Sequence, residues 1–194
     1  MIREPAIPAR ASAREPTGLV SCLRDFVHGQ GGMAAVEFAV ILPFMLVAYL
    51  GGVEIGDGVA INRKVAITTR AVADLATRYT TIHNADSATI LGAASTIIQP
   101  YAPGPLAVTV SQVSVDGQGN ATISWSDTLN GTAHAVGTAV TLPGTLAIPN
   151  ANYIWGEVHY AYTPTLGYVM TGTYNLSDQI FMSPRQSASI TRVP

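Results

Sequence analysis

A single carboxylate, Glu37, stands inside the apolar run 33–53, whose other twenty residues are uncharged. A charged side chain at bilayer depth costs about 2.5–3.5 kcal/mol on insertion scales, so its retention calls for a purpose. The chemistry open to it is that of a counter-charge. Directly before the run stand Gly31 and Gly32, an unhindered backbone that a peptidase could grip in extended form. Cleavage at this pair would create a positive α-amino group about one helical turn before Glu37, on the same helix face. Small residues, then four positions, then Glu37-Phe38, then a hydrophobic helix read as a processing site fused to an anchor. A milder reading places Glu37 at the interface, snorkelling to water.

Other candidate chemistry is sparse. Glu157 and His159 flank Val158 and share one face of a strand, where they could ligate a metal or pair as base and orienter; a solvated polar face explains them equally simply. The sequence contains no His-Glu-x-x-His, no phosphate-cradling glycine loop and no Gly-x-Ser-x-Gly elbow. No catalytic residue, metal site or cofactor is therefore assigned. Tyr153, Tyr160, Tyr162, Tyr168 and Tyr174 suit a sheet or a contact surface. Sequons begin at Asn120, Asn130 and Asn175 and would matter only in a glycosylating compartment.

The elements that must hold these residues begin with the apolar run. Phe38 to Val53 is sixteen residues without a charge, and about 20 apolar residues span a hydrocarbon core of ~30 Å. A secretory signal usually has a shorter apolar region and an Ala-x-Ala-like site, and a soluble core helix is the remaining alternative. Charge and composition agree with an anchor: 11% of the 194 residues are charged, 48% are hydrophobic and the formal net charge is −2. Nucleic acid, which needs a basic patch, is excluded as a partner. The single cysteine, Cys22, precedes the proposed cut, so a processed chain has neither a disulfide framework nor a cysteine metal site. Arginines flank the span on both sides, at Arg3, Arg10, Arg14 and Arg24 and again at Arg63, Arg70 and Arg78, so charge leaves the orientation undecided.

The phrase Ala34-Ala-Val-Glu-Phe-Ala-Val-Ile-Leu-Pro43, behind Gly31-Gly32, resembles a type IV prepilin, and specifically the TadE/TadG-like minor pilins (pseudopilins) of the tight-adherence (Flp) pilus system. The likeness is specific over 31–80 and looser at Tyr160-Ala-Tyr-Thr-Pro164 and Pro184-Arg185. It implies that a prepilin peptidase cuts after Gly32, with Gly31 as the competing position, and that Met33 becomes the mature N-terminus. It also implies that Glu37, followed by Phe38, sets subunit register by meeting a neighbouring terminus. The partners implied are the peptidase, other pilin and minor-pilin subunits, the inner-membrane assembly platform and the lipid bilayer. The orientation implied is N-terminus cytoplasmic, with a periplasmic head that can enter the extracellular fibre.

Four segments are expected: a leader over 1–32, a membrane-spanning helix over 33–58, a helical stem extension over 59–83 and a head over 84–194. In the extension Val65, Val72, Leu75, Tyr79 and Ile82 recur on one helix face. Gly51, Gly52, Gly56 and Gly58 weaken the helix by about 1 kcal/mol each, and Pro43 deletes a backbone bond, which predicts a bent or partly melted stem. Gly52 and Gly56 form a small-xxx-small pair for close helix packing. A second helix is expected over 87–99, capped by Asp86 or Ser87. The period then changes to two. Strands are expected at 106–115 and 121–126 as a hairpin, then at 145–148, 153–162, 176–182 and 187–193. The fold class is α+β, a long N-terminal membrane-spanning helix followed by a small antiparallel-sheet periplasmic domain. The functional expectation is a non-enzymatic minor pilin that primes, caps or decorates a tight-adherence pilus. Its alternatives are a stationary inner-membrane scaffold and a membrane-tethered extracytoplasmic enzyme using Glu157 and His159. Both Trp125 and Trp155 are expected to pack on the helix.

Overall fold

The structure, a computed structural model, describes residues 30–164, 167 and 171–194. Cys22, His28, Tyr168 and nearly all of the proposed leader lie outside the described residues. The chain divides into two compact units, Met1–Ala48 and Tyr49–Pro194. Within the first unit the described residues are wholly helical, and from Met33 to Ala48 every side chain is exposed. They belong to α1 (Gln30–Thr77), which contains Pro43 and runs without a break through Gly51–Gly58. The melting expected at the glycines is absent: their cost is spread over a helix whose C-terminal third is held by packing.

That third belongs to the core of the second unit. Ile61, Val65, Val72, Ala73 and Ala76 are buried, with Leu75 and Tyr79 packed at the margin. Buried Thr68 and Thr69 return their hydroxyls to the carbonyls of Lys64 at 2.8 Å and Val65 at 2.9 Å, so neither leaves a polar group unsatisfied. The helix ends at Thr77 rather than continuing to 83. Ile82 instead reaches the core from β1 (Thr81–Ile82).

Helix α2 (Asn84–Ile97) starts earlier than expected. Asp86 acts from inside its first turn, accepting from the His83 backbone N–H at 3.0 Å, and Ser87 spends its hydroxyl on Asp127 at 2.7 Å instead of capping. The sheet that follows is antiparallel, with strand order β4-β3-β2-β5-β6. Its strands are β2 (Leu106–Val115), β3 (Ala121–Leu129), β4 (Ala139–Val140), β5 (Asn152–Tyr162) and β6 (Tyr174–Met182). The β2–β3 turn is fixed by Asp116, whose carboxylate accepts from the backbone N–H groups of Gln118 at 2.9 Å and Asn120 at 2.8 Å. Bonds from Asn120 hold the Asp116 carboxyl below its usual range, because they favour the charged form.

One face of this sheet receives α1 and α2. Leu106, Val108, Val110, Ile154, Val158 and Tyr160 join the buried helical residues in one core. Gly156 permits the closest approach: a Cβ there would lie 3.0 Å from that of Ala73 and 3.4 Å from the Thr69 carbonyl oxygen. A β-bulge follows, since Gln112 pairs with Trp125 but Val113 pairs with Ile123, leaving Ser124 extra. The inserted residue reverses the alternation of faces. Trp125 is therefore in the helix-facing core and Ile123 in a second cluster with Val113, Val115, Ala121 and Tyr153. Residues 145–148 form no strand; Leu142 and Leu146, in the connection after β4, pack on this second cluster.

The C-terminal segment is a strap rather than a strand over 187–193. Only β7 (Thr191–Arg192) is extended and paired, parallel to β1. Its predicted alternation is overruled by side-chain clamps. Trp125 Nε1 donates to the Ile190 carbonyl at 2.9 Å and the Ile190 N–H donates to Gln112 Oε1 at 2.6 Å. Arg192 Nε donates to Asp127 Oδ2 at 2.7 Å, and its Nη2 to Asn84 Oδ1 at 2.7 Å. At the other end of the strap the Arg185 N–H donates to the Thr77 carbonyl at 2.9 Å, and its guanidinium lies 2.5 Å from Asp74 Oδ1. A cation at a helix C-terminus complements the helix dipole.

Arg78 Nε donates to Asp74 Oδ2 at 3.1 Å, and this bond, helped by the charge of Arg185, lowers the pKa of Asp74 from the ordinary 3.8. A depressed carboxylate contributes stability above its unfolded pKa and loses it as pH falls through the folded one. Acidification below about pH 3.8 is thus expected to loosen the strap. Near-ultraviolet circular dichroism of Asp74→Asn against the parent should show the parent losing signal in that window and the variant changing less. Identical acid limbs would contradict the strap assignment.

Candidate functional site

The residues singled out for processing and register lie on α1. Gly31 and Gly32 are not extended; they are helical. Glycine favours the helix least among residues other than proline, so this pair is a low-cost place to unwind. Met33 is 65% exposed and Phe38 58% exposed, and Glu37 is exposed as well. One helical turn separates Met33 from Glu37, so both lie on one face. The window that qualifies α1 as long and apolar enough to cross a membrane has a mean hydropathy of 2.2 and none of it is buried. In water such a surface far exceeds what a folded chain leaves uncovered.

Gly52 and Gly56 lie one turn apart, both exposed, with nothing within 4 Å of where a Cβ would stand. Their face of the helix is thus open to another helix at short range.

The second candidate, Glu157 with His159, is rearranged. Both are on the sheet face away from α1, but Glu157 Oε2 lies 2.5 Å from Nε2 of His134, in the connection between β3 and β4. His134 in turn stacks on Trp155 at 4.8 Å, and Trp155 stacks on Phe181 at 5.4 Å. Trp155 is accordingly not against the helix, contrary to expectation: it alternates with the inward Ile154 and Gly156. His134 was invisible as a partner because it lies 23 positions before Glu157, in a connection without periodicity. His159 is exposed. Thr109–Thr128 at 3.0 Å and Ser111–Ser126 at 2.8 Å fill the neighbouring cross-strand positions. Among the described residues no group of three or more His, Cys, Asp or Glu is placed to hold a metal ion.

Tyr153, Tyr160 and Tyr162 are buried sheet residues, whereas Tyr174 is 38% exposed. Burial raises the pKa of the Tyr160 and Tyr162 hydroxyls above 10.0, as expected where the charged form is desolvated.

Residues 32–74 match the family model described as TadE-like protein. No curated protein and no solved structure matches the chain.

Proposed function

Starting from a chain whose residues 32–74 are TadE-like, we propose that it is a membrane-inserted minor pilin, or pseudopilin, that takes part in assembling a tight-adherence type IV pilus. The observation that carries this reading is the exposure of α1 from Met33 to Tyr49, within that TadE-like stretch. A helix apolar on all faces needs lipid or other helices around it, and a pilin stem uses both in turn.

In this reading residues 1–32 are a leader, 33–58 cross the inner membrane, 59–83 extend the stem and 84–194 form a periplasmic head. The prepilin peptidase unwinds α1 at Gly31 and Gly32 and cuts between Gly32 and Met33. The new α-amino group at Met33 and the Glu37 carboxylate are opposite charges in a medium where an unpaired charge is costly. Within the assembled fibre the Glu37 carboxylate meets the Met33 terminus of a neighbouring subunit, fixing axial register, while Phe38 packs beside it. Gly52 and Gly56 bring neighbouring stems together, and the head primes, caps or decorates the fibre. The chemistry is assembly rather than catalysis, with no cofactor required.

Glu37→Val tests the register role. The variant makes the span more apolar, so membrane retention is expected to persist while recovery of the chain in sheared pili falls by about a hundredfold or more, the loss expected when removing one partner of a buried pair costs about 3–5 kcal/mol. Normal recovery would return Glu37 to an interfacial role. If the parent chain itself stays with the membrane after shearing, it is a stationary scaffold of the pilus machine and not a subunit.

A further inference from the structure

The second unit carries an apolar groove of about 380 Å³ beside α1. Ile55, Val59 and Asn62 form one wall, and Tyr162, Tyr174 and Leu176 of β5 and β6 form the other. We infer that this groove is a lipid site, holding an acyl chain of a bilayer phospholipid whose phosphate meets Arg63.

Four observations support that occupant. Ile55 is 54% exposed and Val59 60% exposed, and they continue, on the same helix, the bare apolar surface that ends the membrane run at Val53. The groove is thus continuous with surface already assigned to lipid. Among the described residues no charged one lines it. Going outward along α1, Ile55 and Val59 give way to Asn62 and then to exposed Arg63. Apolar groups followed by a hydrogen-bonding group and a cation repeat the order of acyl chain, ester and phosphate in a phospholipid. Finally, the facing wall is tyrosine-rich, and tyrosine is enriched at membrane–water interfaces because its ring is apolar and its tip polar. Tyr162 is fixed against the helix, its ring beside Gly58 at 3.5 Å from where a Cβ would stand and its hydroxyl directed to the Glu54 carbonyl at 3.5 Å. Tyr174 is left to line the opening.

The inference rests on the reading of α1 as a membrane anchor, and the test separates the two. In the full chain carrying Cys22→Ser, a single cysteine is introduced by Val59→Cys, Tyr174→Cys, Phe44→Cys or Thr122→Cys and labelled with an environment-sensitive fluorophore. Thr122, exposed on β3, lies at the sheet end opposite Tyr160, since Val115 pairs with Ala121 while Leu106 pairs with Tyr160. The protein is reconstituted at one copy per disc in phosphatidylethanolamine–phosphatidylglycerol bilayers containing nitroxide-labelled lipid. Labels at 59 and 174 are expected to be quenched about threefold, most by a nitroxide near the headgroup, which is the depth of an interfacial tyrosine belt. The label at 44 should be quenched by deep nitroxides and that at 122 by none. Arg63→Glu should weaken quenching at 59 without changing that at 44. If 44 is quenched while 59 and 174 behave like 122, the groove is not a lipid site although the anchor stands. If 44 is also unquenched, the anchor reading itself fails. Quenching at 59 and 174 only when a nitroxide-bearing second copy is supplied would give the groove to a neighbouring stem and overturn the proposal.

Discussion

A fragment starting at Ala60 is expected to fold on its own, and Trp125→Ala in that fragment to lose about 3–5 kcal/mol, the usual cost of truncating a buried tryptophan. Ala60 is the natural start because Ile61 is the first core residue of α1 in the head. The substitution removes two things at once. It opens a cavity between helix and sheet, and it deletes the Nε1 donor to the Ile190 carbonyl, so the C-terminal strap loses its central clamp. Trp155→Ala in the same fragment is expected to cost less, because Trp155 is half-buried and supported mainly by stacking on His134 and Phe181. Urea unfolding followed by far-ultraviolet circular dichroism measures both. Equal losses for the two tryptophans would contradict their assignment to opposite faces of β2–β3–β5, and a fragment without a cooperative transition would contradict the head altogether.

The second large effect concerns processing. Gly32→Val is expected to leave a full-length precursor, with cleavage lowered by about a hundredfold or more, the scale on which misplacing a scissile bond slows a reaction. A β-branched side chain both stiffens the backbone and obstructs a site that must close on an unwound glycine turn. Gly31→Val should have a smaller effect if the cut follows Gly32, and the larger one if it follows Gly31. Undiminished processing of both variants, read on a gel by the loss of residues 1–32 from the chain of 194, would remove the assigned site.

How far the sequence disclosed this molecule varied with the kind of information each element depends on. Helix α1 was legible because apolar content over 33–53 and the spacing of Val65 and Val72 are local signals. The hairpin was legible because period-two alternation brackets the Asp116–Asn120 turn. The bulge at Ser124 was not, since an extra residue is visible only against the partner strand, and it is what puts Trp125 and Ile123 on opposite faces. The strap was misread as a strand: its alternation is real, but Gln112, Trp125 and Asp127 take up the groups that a neighbouring strand would otherwise pair. At the candidate site, Gly32, Met33 and Glu37 are proposed from a contiguous signal in the sequence. His134 could not be found there, because loop residues carry no periodicity and its partnership with Glu157 depends on how the connection crosses the sheet.

Whether this chain is a processed pilin-like subunit is decided by the mass of its mature N-terminal peptide. The chain is recovered from membranes and from sheared pili of cells with and without an active prepilin peptidase, and the terminal peptide is sequenced by mass spectrometry. A terminus at Met33 is expected in both fractions when the peptidase is active, and the uncleaved precursor when it is not. A terminus beyond the apolar run, or a precursor that persists with the peptidase active, would contradict that reading.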